Sequence, residues 1–534
     1  MSIKHLNRGA ALAVVFLVGC NPSQPEPGKP IQETGVVESE ADLEAIYKDP
    51  EAYRGINPSS DQSSVQRVEF ALNRIATIDH AGPNLQSVLT VNPNALDIAR
   101  SLDEEDSERS LLHGVPVLIK DNVETLDMPT TAGSSTLKQN DTGRDSPLVE
   151  SLREAGAVIL GKSNLSQWAN FRSTNSTSGW SALGAQTKNP HALNRSPCGS
   201  SSGSGAAVAA GIVPAAIGTE TNGSIICPSA MNGIVGFKPT VGLIPQDLIV
   251  PISSTQDTAG PMTLTVEDAA IMMDAMTGEG SAWRDAVMAG TLAGKRIGVL
   301  NFARGNVDGV NENFEAVLET LESQGAELVE IEEFEPPEGF NEASFNVLKY
   351  EFKTTLNDYL AEVAPDVKSR TLTAVIAENA DTDAEMAVFD QDIMEMSEEL
   401  GDLETKEYKE ALALVLKTTR EDGIDKMMSG NDLDALVAPS TAPSFLIDHV
   451  YGDSYPGGTG AGWIAAIAGY PHITVPMGAV KGLPVGVSFM GQSGQDKEIM
   501  AIGYAFEQAG GERLIPGFIS GVEQLPGSGT VSRN

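Results

Sequence analysis

The chain has 534 residues, 41% of them hydrophobic, which is enough for a large buried core in one big domain or two to three smaller ones. Its formal net charge is −38, with a pI near 4.4, and a surface so acidic repels phosphate backbones and excludes nucleic acid as an expected partner. Three cysteines, with no CxxC and no HExxH, leave no expected metal site and no expected cofactor.

In chain order, Lys4 and Arg8 precede an apolar run from Ala10 to Val18, then Gly19 and Cys20. A basic start and a short apolar run make a secretory signal; the run is too short to cross a bilayer. Leu17-Val18-Gly19-Cys20 resembles a bacterial lipobox. That likeness implies removal of residues 1–19 and lipidation of Cys20, with several acyl chains giving stable anchoring. Asn21 stands where an aspartate would favour inner-membrane retention. The expectation is an exported lipoprotein in the outer membrane, facing the periplasm and touching the membrane through its lipid alone. Residues 20–40 read as a Pro-rich tether, and the folded domain is expected over 41–525. With Cys20 lipidated, Cys198 and Cys227 remain. A disulfide between them is possible in an oxidising compartment, and two small buried thiols are the favoured reading.

Val65, Val68, Leu72 and Ile75 form an apolar stripe at helical spacing. "VPVLI" from Val115 reads as a buried strand ending at Lys120, and "SPLVESLREAGAVILG" as helix, Gly turn and strand. "KRIGVL", "NENFEAVLETLESQG" and "AELVEI" make a further strand-helix-strand unit. "DALVAP" and "GLPVGVSFM" are late strands, and Lys497 to Gln508 closes the chain as a helix. Alternation of this kind predicts an α/β fold with a mostly parallel or mixed sheet. From 311 to 430 the chain turns acidic and helix-prone, which predicts a peripheral helical insertion shaping substrate access.

"CGSSSGSGAAVAAG", from Cys198, admits several readings. A flexible linker would run on into polar sequence, but here an apolar helix follows. A phosphate loop needs Gly-Lys-Ser/Thr, or a glycine at position 208, and Val208 stands there. Gly199-Ser200-Ser201-Ser202-Gly203 matches the G-x-S-x-G nucleophile elbow of α/β-hydrolase esterases, with Ser201 as nucleophile and His449 or His472 as the late histidine. The elbow needs a strand before it, and "TKNPHALNRSP" carries no strand signal. The last reading pairs this loop with a second turn, Thr221-Asn222-Gly223-Ser224, whose consecutive amides can bind an oxyanion. Lys120 at a strand end completes it. A buried lysine sheds its proton more readily, and a neutral amine can then accept one from serine.

Lys120 in "GVPVLIKDN", Ser200 in "GSSSGSG" and Ser224 in "TETNGSI" resemble the Ser-Ser-Lys triad of the amidase signature family. "NPHALNRSPCGSSSGSG", "STQDTAGPM" and "GLPVGVSFMG" support the likeness, which runs from about Val65 to Gly278 and returns from Asp434 to Gln508. Within the family it is most similar to bacterial peptide amidases. The resemblance implies a single large domain, its central mixed sheet covered by helices on both faces. It implies hydrolysis of a small-molecule or peptide amide through a serine acyl-enzyme. Ser224 is then the nucleophile, Ser200 the relay, Lys120 the base, and the amides of Thr221, Asn222, Gly223 and Ser224 the oxyanion site. A cis bond between Gly199 and Ser200 is implied as well. Neighbours on a strand point to opposite faces, so Asp121 is expected to face away from the relay. The rival class is a non-catalytic solute-binding lipoprotein, which would not need the three residues together.

Overall fold

The computed structural model describes residues 45–56, 62–106, 109–511 and 513–524; the expected signal, tether and Cys20 lie outside the described residues. Thirteen strands are described. In chain order they are β1 (Val88–Val91), β2 (Pro116–Lys120), β3 (Val158–Ser163), β4 (Trp180–Ser181), β5 (Ala185–Gln186), β6 (Ala215–Glu220), β7 (Val235–Lys238), β8 (Thr258–Thr263), β9 (Arg296–Leu300), β10 (Glu327–Ile331), β11 (Ala435–Pro439), β12 (His472–Val480) and β13 (Leu483–Met490). Strands β4 and β5 pair with each other. The other eleven form one sheet in the order β1-β3-β2-β6-β8-β7-β12-β13-β11-β9-β10. The sheet is mixed: β2 runs parallel to β3 and β6, and β9 parallel to β10 and β11, while β6/β8, β7/β12 and β12/β13 are antiparallel.

Apolar runs such as "PVLI" suit a sheet buried on both faces. On β2, Val117 and Ile119 enter the larger core, against the helices Pro147–Glu154, Val266–Thr277, Asp308–Ser323 and Asp496–Gly510. Leu118 enters the opposite core, against Ser64–Arg74, Ala95–Asp103 and Ser202–Ala209. With side chains alternating along a strand, Lys120 continues the Leu118 face.

The helical region differs from expectation at its start. Residues 308–331 belong to the main body: Val310, Phe314 and Leu321 are buried in the larger core, and β10 pairs with β9. Their acidity reflects an edge position, with Glu327 and Glu330 outward. The separate helices begin at Phe340 and continue to Asn431. Two buried carboxylates fasten them to the body. Glu351 accepts from Ser253 Oγ and from Thr255 Oγ1 (3.0 Å), and Glu385 accepts from Ser135 N (2.6 Å), from Gln167 and from the Arg172 guanidinium (3.5 Å).

Candidate active site

Strands β2 and β6 lie side by side and parallel, so their C-terminal ends meet at one edge. Lys120 ends β2 and is fully buried. Its Nζ has three oxygen neighbours: Ser200 Oγ at 2.8 Å, Thr219 Oγ1 at 2.8 Å and Thr219 O at 3.1 Å. Burial pulls its pKa down to about 7, against the opposing pull of Asp257 and Glu220. Asn122 Nδ2 donates to Thr219 Oγ1 at 3.1 Å and so fixes that hydroxyl from behind. Asp121 faces away, as expected. It accepts from Thr131 and pairs with Lys162 at 3.3 Å.

The serine-rich stretch folds as loop, then helix Ser202–Ala209. The helix is made of small residues because it is buried throughout and lies close to neighbouring backbone. A Cβ on Gly203 would stand 2.3 Å from Ser87 O and 2.5 Å from Asn164 O, so only glycine fits. The Gly199–Ser200 bond is cis, as expected, and Ser200 O accepts from Ser166 N at 3.0 Å. Ser201 is not poised as a nucleophile. Its Oγ donates to Thr219 O (3.1 Å) and accepts from Thr219 N (3.2 Å), and no strand leads directly into it, the residues from 187 to 200 lying outside any strand. His472 is buried against Ser488 Oγ (2.6 Å), with its pKa held down to about 3 by burial, and exposed His449 contacts Gln186 (2.9 Å); neither serves Ser201.

Strand β6 leads into the second turn. Glu220 Oε2 accepts from the amides of Ile225 (2.7 Å) and Ile226 (2.9 Å) at the start of helix Ile226–Asn232. The chain between is forced into a tight turn, with Gly223 at φ 87°. A Cβ there would meet nothing within 4 Å, so backbone conformation and not space demands glycine. Among the described residues, the amides of Thr221, Asn222, Gly223 and Ser224 donate to no protein acceptor. Ser224 is buried, and its carbonyl accepts from Ser201 N at 3.2 Å, which holds the two turns together.

Behind the turn sits Asp257. It accepts from Thr221 Oγ1 (2.6 Å) and from the amides of Ile252 (2.7 Å) and Ser253 (2.9 Å), and burial raises its pKa to about 6. A cavity of about 460 Å³ beside the turn is lined by Glu220, Asn222 and Gly223 and by Phe302, Ser440, Tyr455, Trp463 and His472. Cys198 and Cys227 line it too, and they form a disulfide (Cα–Cα 5.9 Å). The expectation of two free thiols is thereby corrected. The serine-rich loop and the helix after the second turn approach so closely that both sulfurs meet, a juxtaposition that sequence alone leaves undecided for cysteines 29 positions apart. Among the described residues, no group of three or more His, Cys, Asp or Glu side chains is placed to hold a metal ion.

The family model for amidases matches residues 67–500. The chain belongs to the amidase family. A probable amidase of Arabidopsis thaliana is 37% identical over 489 residues, covering 86% of this chain and 89% of that protein. A putative amidase of Schizosaccharomyces pombe is 33% identical over 472 residues, covering 80% of this chain and 79% of that protein. The crystal structure of the peptide amidase of Stenotrophomonas maltophilia superposes with a TM-score of 0.82 at 40% identity, covering 88% of this chain and 99% of that one. This amidase therefore hydrolyses amide C–N bonds on the single large mixed sheet of its family. Sequence reasoning missed Thr219, Asn122 and Asp257 as parts of the site. Each lies inside a motif already quoted, Asn122 in "GVPVLIKDN", Thr219 in "TETNGSI" and Asp257 in "STQDTAGPM", so position within those motifs was the only signal.

Proposed function

We propose that this amidase cleaves peptide or small carboxylic amides through an acyl-enzyme on Ser224, using Lys120 as base and Ser200 as relay. The observation that carries the reading is the 2.8 Å contact between Lys120 Nζ and Ser200 Oγ at a lysine lowered to about 7. With the amine neutral, its two N–H groups serve the Thr219 oxygens and its lone pair takes the Ser200 proton. Ser200 in turn accepts the Ser224 proton as Ser224 Oγ bonds to the amide carbon. The carbonyl oxygen becomes an oxyanion held by the free amides of residues 221–224, each donor worth about 3 kcal/mol. The relayed proton then passes back to the leaving nitrogen, the C–N bond breaks, and ammonia or an amine departs. Water repeats the sequence and releases the acid.

The peptide amidase of Stenotrophomonas maltophilia supports a peptide-amide substrate, since it is 40% identical and a peptide amidase has been solved with the competitive inhibitor chymostatin. The cavity suits an uncharged carboxamide: its lining holds Glu220 and His472, whose pKa burial lowers to about 3, and, among the described residues, no Lys or Arg to take a carboxylate. A net charge of −38 argues against a tRNA-bound role. Export as a lipoprotein through Cys20 is part of the proposal, supported by the Leu17–Cys20 stretch and by a disulfide that suits an oxidising compartment. Ammonia release from a panel of amides tests the chemistry: Ser224→Ala and Lys120→Ala are expected to abolish it, and retained activity in either would overturn the assignment. Membrane fractionation of a Cys20→Ser variant tests the anchor, which predicts release into the soluble fraction.

A further inference from the structure

We propose that the Cys198–Cys227 disulfide is a positioning element of catalysis, tying the loop that carries Ser200 to the turn that carries Ser224. The proposal rests on the relay assigned above. Cys198 lies two residues before Ser200, and Cys227 three residues after Ser224. The bridge closes a segment holding both serines, the helix Ser202–Ala209 and β6. Cys227 N donates to Gly223 O at 2.8 Å, so a shift of Cys227 acts on the residue beside the nucleophile. Cys198 holds a left-handed backbone at φ 58°, which few residues other than glycine keep without constraint. Its carbonyl accepts from Ser202 Oγ at 2.6 Å, so a shift there reaches the serine loop from the other side.

Two hydrogen bonds also join these loops: Ser201 N to Ser224 O (3.2 Å) and Asn232 Nδ2 to Pro197 O (2.8 Å). Such contacts stretch by tenths of an ångström, whereas a covalent bridge does not. Proton transfer from Ser224 through Ser200 depends on oxygen spacing, and a misplacement of about 1 Å costs on the order of 10²-fold in rate. Both cysteines line the cavity, but most of the other walls come from distant segments, including Phe302, Ser440 and Trp463. Loss of the bridge is therefore read in kcat more than in KM. A bridge that merely stabilised the fold would leave kcat per active site unchanged.

The test uses the full-length protein exported to an oxidising compartment. Alkylation and mass spectrometry first count the free thiols of Cys198 and Cys227. Dithiothreitol then delivers two electrons and two protons, breaking the S–S bond into two thiols and itself closing to a cyclic disulfide. Rates of ammonia release, per active site counted by fluorophosphonate labelling, are compared with Cys198→Ser and Cys227→Ser at a temperature where circular dichroism shows folded protein. The expected result is no alkylation before reduction, a fall in kcat of about tenfold or more on reduction, and KM within about twofold. The serine variants are expected to match the reduced enzyme and to ignore dithiothreitol. Free thiols in the exported protein, an unchanged kcat after reduction, or a fall in kcat matched by an equal rise in KM would each overturn the proposal. If the variants fail to fold, the reduced wild type alone carries the test. An exported enzyme with no activity before reduction would instead refute the amidase assignment itself.

Discussion

Replacing Thr219 by valine takes one oxygen from the surroundings of the proposed base, Lys120. Thr219 supplies two of the three acceptors around Lys120 Nζ, and valine keeps the carbonyl at 3.1 Å while deleting the hydroxyl at 2.8 Å. The β-branched shape is kept, so β6 persists. A hydrogen bond from a charged donor is worth about 1.5–3 kcal/mol and from a neutral one about 0.5–1.5 kcal/mol. The ammonium form thus loses about 1–1.5 kcal/mol more than the amine, or roughly one pKa unit. Lys120 already sits at about 7 through desolvation. The proposed mechanism needs the neutral amine, so it predicts that kcat/KM rises as pH climbs through that value. In Thr219→Val the rising limb moves down, to about pH 6, and the weaker base and lost anchor lower the alkaline plateau by about tenfold. Initial rates of ammonia release between pH 5 and about 9.5 read both effects, over the span where the limb must fall. A limb that stays in place or moves to higher pH would refute Lys120 as the base.

Three further changes probe the supports. Asp257→Asn removes a charge that raises the Lys120 pKa, so the same limb moves to lower pH; loosened Thr221 costs about tenfold in kcat, and pH-rate profiles check both. Ser201→Ala deletes two hydrogen bonds to Thr219 and costs about 1–3 kcal/mol of stability in urea titrations, while activity persists; complete inactivation would restore the nucleophile elbow. Glu351→Gln unsettles the acceptor shared by Ser253, Thr255 and Tyr408 OH (2.7 Å), and a loss of about 1–3 kcal/mol is expected, with a smaller fall in kcat than Asp257→Asn gives.

The proposed relay residues stand out in the sequence because each occupies a motif whose residue types are restricted by chemistry. Lys120 ends an apolar strand, Ser200 sits in a glycine-rich loop pressed against neighbouring chain at Gly203, and Ser224 follows a glycine whose left-handed backbone makes the turn. Strand alternation predicted the direction of Asp121, and the pairing with Lys162 bears it out. What could not be read was contact between distant segments. Thr219 looks like an ordinary strand residue until β6 is laid beside β2. Asp257 meets Thr221 only because β8 returns antiparallel to β6. The Cys198–Cys227 bridge stayed open on sequence for the same reason. The stretch from 311 to 331 misled because acidity marks exposure, and an edge strand and the outer face of its helix are exposed while still belonging to the sheet.

The most direct measurement is peptide mapping of the enzyme quenched in acid during turnover of an ester or activated amide. A single added acyl group on the peptide bearing Ser224, absent in Ser224→Ala and accumulating more slowly in Lys120→Ala, is the predicted result. An acyl group on Ser200, Ser201 or any other side chain would contradict it.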